Sequence, residues 1–123
     1  MDPALILRRL AIELPRYRYS FRTEANLHAG ITKVLYAAGL AYEHEHVATP
    51  ADRFDFLVEG AVVIEAKIGG SLPDAILQVN RYCGLDLVQG VVVVSTSQWA
   101  RRAPTARMHG KPVHFVDVQR QAF

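Results

Sequence analysis

The sequence predicts a single α/β domain with a central mixed sheet, built in the order helix, three strands, helix, strand, plus an extra helix before this core and a strand after it. Three observations predict it. Residues 41–68 hold three successive alternating runs separated by turn residues; segments 23–39 and 71–85 carry helical periodicity with caps; and GVVVVST, from Gly90 to Thr96, is the unbroken β-branched run of a strand covered on both faces. The 123 residues make one domain, with a core over about 23–96. A chain of that size buries roughly two-thirds of its unfolded surface.

Residues 3–14 repeat apolar side chains at helical spacing and stop at Pro15, which predicts a first helix. The stretch RYRYSFR then alternates Arg16, Arg18 and Arg22, with Ser20 between them, against Tyr17, Tyr19 and Phe21. An extended chain would put cations on one side and aromatics on the other. It is either an edge strand with a wet face or an arm that touches phosphates, the second being favoured. Thr23 is the expected N-cap of the next helix and Gly39 its stop. Leu27, Ile31, Val34, Leu35 and Ala38 form its apolar stripe. Glu24 falls on that stripe, so it is expected to point inward and to need a buried partner. His28, one turn later, either bonds Glu24 or fills helix surface.

AYEHEHVA, DRFDFLV and AVVIEAKI read as three strands, the last two joined around Glu59-Gly60-Ala61. Ser71 and Asp74 mark the start of the second core helix, which runs to about Leu85. A short helical segment near Trp99 to Ala103 and a strand PVHFVDV close the chain.

The net charge of +2 conceals a segregation: residues 1–22 carry +3, residues 99–123 carry +4, and the middle carries −5. An acidic centre between basic ends suits a metal site with a polyanion-binding rim. Cys83 is the single cysteine, so neither an internal disulfide nor a Cys-based zinc site can form, and a cytoplasmic location is expected. The N-terminal apolar run, broken by Arg8 and Arg9, is too short for a membrane span. Gly69-Gly70 lacks the lysine of a phosphate loop, and no small organic cofactor is expected.

On the third strand Val63, Glu65 and Lys67 share one face, and Val62, Ile64, Ala66 and Ile68 share the other, expected to be the core face. On the second strand Phe54, Phe56 and Val58 are the apolar set, opposite Arg53, Asp55 and Leu57. With a three-residue loop over Glu59-Gly60-Ala61, Asp55 lies opposite Glu65 and Arg53 opposite Lys67; a two-residue loop would set Asp55 against Ile64. Only the first register keeps both apolar sets on one side. Asp55 and Glu65, with Glu24 from the helix, then form a carboxylate cluster that repels itself unless a cation sits within it. Such hard oxygen ligands suit Mg²⁺ or Mn²⁺. Lys67 beside them can orient or help deprotonate a water and offset charge in phosphodiester hydrolysis.

Asp55 followed after nine residues by Glu65-Ala66-Lys67 resembles the bipartite motif of the PD-(D/E)xK nucleases, and RFDF from Arg53 to Phe56 is similar to the lead-in of small stand-alone members. The element order over roughly 23–96 is also that family's. Phe54 stands where the name-giving proline would be. Gln78 and Tyr82, four apart on the helix after the Glu-x-Lys strand, resemble the signature of the RecB-like branch. The resemblance implies a restriction-endonuclease-like core and a Mg²⁺- or Mn²⁺-dependent deoxyribonuclease. Asp55, Glu65, Glu24 and the Ala66 carbonyl would bind the metal; Lys67 would act on the water; Gln78 and Tyr82 would hold Lys67 or the scissile phosphate. Arg16, Arg18, Arg22, Arg53, Arg101, Arg102 and Arg107 would contact the DNA backbone. A homodimer, as in the related junction resolvases, would pair two sites. His44 and His46, taken to share one strand face, are candidates for a transition-metal site or for the rim of the active site. Ser95, Thr96, Ser97 and His114 form no nucleophile arrangement by spacing. The competing class is a non-catalytic module that keeps the fold but only binds nucleic acid or protein.

Overall fold

The structure, a computed structural model, describes residues 2–20, 22–103 and 105–118. Phe21 of the expected arm lies outside the described residues. Helix α1 (Pro3–Glu13) opens where Asp2 accepts the Ala4 N–H at 3.0 Å, with Pro3 in the first turn, where its missing donor is not needed. It buries Ile6, Leu7 and Leu10 and ends in a 3-10 turn over Leu14–Arg16. The described residues of this segment form no strand: after that turn 17–20 and 22 run as irregular chain. The alternation survives nonetheless. Arg16, Arg18 and Arg22 are exposed, while Tyr19 is buried, donates its hydroxyl to the Leu14 carbonyl at 2.8 Å and takes Tyr17 edge-on.

Helix α2 (Glu24–Ala38) starts and stops as expected. Thr23 Oγ1 accepts the Asn26 N–H, and Gly39, at φ 71°, ends it in the left-handed conformation that glycine adopts without strain. Its buried stripe is Leu27, Gly30, Ile31, Val34 and Leu35.

Six strands form one open mixed sheet: β1 (Tyr42–Thr49), β2 (Asp52–Val58), β3 (Val62–Lys67), β4 (Gly90–Ser95), β5 (Ala106–Met108) and β6 (Lys111–Asp117), in the order β1-β2-β3-β4-β6-β5. The first three are an antiparallel meander; β4 is parallel to β3 and β6, and β5 is antiparallel to β6. Helix α3 (Leu72–Cys83) makes the parallel crossover from β3 to β4, capped by Ser71 Oγ on the Asp74 N–H. Helix α4 (Gln98–Arg102) precedes the last two strands. The expected closing strand is part of the sheet, with β6 as an interior strand. The missed strand β5 turns through His109 and Gly110, both at positive φ, a hairpin connection of the kind that left-handed residues make tight.

Both sheet faces are cores, as expected for β4, which corrects the single core face expected for β3. Phe56, Val58, Val62, Ile64 and Ala66 pack under α1 and α2. Leu57, Val63, Val91 and Val93 pack under Val79, Tyr82 and Cys83 of α3. Every residue of β4 is buried, as its composition predicts. Each such side chain removed from water contributes roughly 1.5–3 kcal/mol. Among the described residues no helix is long and apolar enough to cross a membrane.

Phe54 corrects a second expectation. It belongs to the α3-side cluster although Phe56, two residues on, belongs to the other. The ladder with β1 registers His44 with Phe56 and His46 with Phe54, and the intervening Glu45 is left-handed at φ 56°. That backbone breaks the two-residue alternation. His44 consequently stacks on Phe56 and His46 on Phe54, so the two histidines lie on opposite faces rather than on one.

Candidate active site

The β2–β3 turn is built by Glu59 and Gly60, both left-handed, with the Ala61 N–H returning to the Val58 carbonyl at 3.0 Å. Ala61 is an extra residue beyond that turn. Val58 therefore pairs with Val62, Leu57 with Val63 and Phe56 with Ile64, a register that, carried one residue further, would set Asp55 opposite Glu65. The ladder pairs end at Phe56, and side chains take over the bridging. The Asp55 N–H donates to Glu65 Oε1 at 3.2 Å, and the Ala66 N–H donates to Asp55 Oδ2 at 2.8 Å. Because the strands part there, the expected pairing of Arg53 with Lys67 is absent. Arg53 points its side chain to solvent while its carbonyl accepts the Tyr82 hydroxyl at 3.0 Å.

Glu65 is 2% exposed. Burial, and after it the Asp55 charge, push its carboxyl far above the ordinary range, and Lys67 pulls the other way without prevailing. Tyr82 is raised as well, by burial first and by the Glu65 charge second. Gln78 Nε2 donates to the Tyr82 hydroxyl at 3.1 Å, and Gln78 Oε1 is buried without a hydrogen-bond partner. The expected Gln78–Tyr82 pair is thus joined directly, and Tyr82 ties α3 to β2 instead of reaching the cleft. Tyr82→Phe should lose about 1 kcal/mol of stability, read from urea unfolding. An unchanged midpoint would show the hydroxyl bonds to be dispensable.

Lys67, half-buried at the end of β3, lines an open cleft of about 340 Å³ with Gly69, Gly70, Ser71, Asp74, Gln78 and Trp99. The helix start, the end of β3 and α4 converge on it. The chain matches no family model, no curated protein and no solved structure.

Other expected residues fall elsewhere. Glu24 is exposed at the start of α2, not inward; it lines a cavity with His28, His44 and Glu45 that neither Asp55, Glu65 nor Lys67 lines. Its position in the first turn, where the helix dipole favours an anion in water, explains why the stripe geometry misled. Arg102 is exposed; Arg101 pairs with Asp117 at 3.3 Å, and Arg107 donates to the Gly110 carbonyl at 2.8 Å. His28 is the residue whose role spacing left open. Its Nε2 lies 3.5 Å from Asp55 Oδ2 and its Nδ1 2.8 Å from His44 Nε2, so two imidazoles back the Asp55 carboxylate from the α2 side. The signal was present in the spacing, because His28 follows Leu27 at the border of the buried stripe. Among the described residues no group of three or more His, Cys, Asp and Glu side chains is arranged to hold a metal ion. The carboxylates brought together are a pair, Asp55 and Glu65, without Glu24.

Proposed function

We propose that this chain is a metal-dependent nuclease hydrolysing DNA phosphodiester bonds, with a restriction-endonuclease-like core of the PD-(D/E)xK type. The observation that carries the reading is the contact between Asp55 and the buried Glu65, with Lys67 at the wall of the adjoining cleft. A solvated surface cluster would leave both carboxylates in water. Burying one beside another costs several kcal/mol unless a proton or a cation compensates, and a buried carboxyl so perturbed beside a charged partner marks a candidate site for chemistry.

The donor set fits a hard divalent ion. Mg²⁺ commonly takes only one or two carboxylates and fills its remaining positions with water and phosphate. Asp55, Glu65 and the Ala66 carbonyl would hold it, and the ion would supply a Lewis acid that polarises the phosphoryl group. The Lys67 ammonium would orient the attacking water and offset the negative charge that grows as the phosphate becomes five-coordinate. Gln78, through its unpartnered Oε1, would accept from that ammonium or from the water. Tyr82 would act at one remove, holding Gln78 and β2 in place. Arg16, Arg18, Arg22, Arg53 and Arg102, all exposed, would meet the DNA backbone in a salt-sensitive way, and a homodimer would supply two sites for two opposed cuts.

The test is cleavage of linear duplex, single strand, plasmid and four-way junction with Mg²⁺ or Mn²⁺, beside Lys67→Ala. Wild type should cut at least one substrate, and the variant should be slower by about a hundredfold. Equal rates would assign the activity to a contaminant. A module that only binds would show neither cleavage nor calorimetric Mg²⁺ binding that Asp55→Ala removes.

A further inference from the structure

Trp99 is the single tryptophan of the chain. It is half-buried in α4 and forms a wall of the cleft that Lys67 lines. Two contacts fix its ring: the indole N–H donates to the Gly70 carbonyl at 3.3 Å, and Phe115 meets it edge-on, with centroids 6.4 Å apart and planes at 80°. A ring so held loses little further freedom when something lies against it. The neighbouring floor is open. Gly69 and Gly70 sit at φ 78° and 73°, and a Cβ added to either would meet nothing within 4 Å.

The rest of the wall is polar and divided. Lys67 supplies a cation, while Gln78 carries a buried amide oxygen without a hydrogen-bond partner and Asp74 a carboxylate. Asp74 disfavours a phosphate at its end of the cleft. What suits a cation, a fixed aromatic face and a carboxylate acceptor together is a nucleotide: phosphate toward Lys67 and Gln78, ring on the indole, and amino or ring N–H groups toward Asp74. A base inside a duplex has both faces stacked and its edge paired, so it cannot reach Trp99.

The geometry points to a single-stranded polynucleotide as the substrate of this cleft, with one unpaired base stacked on Trp99 beside the phosphate held near Lys67. This rests on the nuclease reading for the identity of the phosphate position. Having one tryptophan makes the stacking directly observable.

With divalent ions chelated, so that nothing is cut, a short oligothymidylate should quench Trp99 fluorescence saturably. A blunt duplex of equal length and a free mononucleotide should do so much more weakly. By anisotropy of a labelled single strand, Trp99→Ala should weaken binding about tenfold, in line with base–aromatic stacking elsewhere, while Trp99→Phe retains most of it. Rescue by phenylalanine separates stacking from a fold defect. Equal quenching by duplex, equal quenching by mononucleotide, no quenching, or unchanged affinity of the alanine variant would each overturn the inference. Duplex cleavage that depends on Lys67, found together with a silent Trp99, would overturn this inference alone. Quenching without cleavage of any substrate would instead sink the hydrolytic reading and leave the stacking site standing.

Discussion

Glu65→Gln is expected to yield a protein more stable without metal than wild type and, under the proposed nuclease function, about a thousandfold slower in cutting DNA, because the proposed metal ligand and several kcal/mol of transition-state stabilisation go with it. The amide keeps the acceptor that takes the Asp55 N–H at 3.2 Å, and its N–H replaces the O–H of the protonated acid as donor toward the Asp55 carboxylate. It also removes the acid whose ionisation burial and Asp55 both oppose. The sign of the pH dependence follows. Below the ordinary carboxyl value of 4.5, folded and unfolded wild type both carry the proton and the contribution of Glu65 is fully present. Between there and about 9 the unfolded chain ionises while the folded chain keeps its proton, so wild-type stability falls as pH rises. Glutamine does not titrate, and the advantage of the variant should grow across that window to about 1–3 kcal/mol near pH 8. Thermal melts from pH 5 to 9 in chelator would measure it. Mg²⁺ should then raise the wild-type midpoint and leave that of the variant in place. A variant less stable than wild type at every pH would mean that Glu65 is there for the fold.

Gly30→Ala should destabilise the protein although it adds a single methyl. By helix propensity alone the change ought to help, by about 0.5–1 kcal/mol. The new Cβ, however, would lie 2.4 Å from Tyr19 Cδ1 and 2.9 Å from Tyr19 Cε1, with Tyr17 Cε2 at 3.2 Å. Tyr19 cannot simply swing aside, since its hydroxyl is bonded to the Leu14 carbonyl and Tyr17 lies against its ring. Overpacking of this kind costs about 1–3 kcal/mol, so the clash wins and the net is a loss. Urea denaturation would show it as a lower midpoint at unchanged slope. A midpoint equal to or above wild type would show that the aromatic arm is not locked onto α2. The same contact bears on the arginine-aromatic alternation of this segment: Tyr17 and Tyr19 are anchors, while Arg16, Arg18 and Arg22 are displayed to solvent.

The parts of this protein that could be read along the chain are those governed by neighbours in the chain. Thr23 and Ser71 cap helices through bonds three residues long, and Gly39 stops one because it has no Cβ; such chemistry is complete within one turn. The placement of Asp55 opposite Glu65 was legible for a related reason. Alternation and a three-residue loop leave one register that sets Phe56 and Val58 beside Ile64 and Val62, and the extra Ala61 delivers it for those pairs, although Phe54 leaves the set. Packing between distant segments settled the remainder. No local rule says that Glu45 will turn left-handed and send Phe54 and His46 to the α3 side, because that choice is made by the filling of two cores at once. Nor does helical spacing tell an inward carboxylate from one at the stripe's edge. Glu24 stayed in water, and His28, four residues on, reached Asp55 instead. A charge goes inside only where partners from other elements meet it, and the chain order does not record where those elements come to rest.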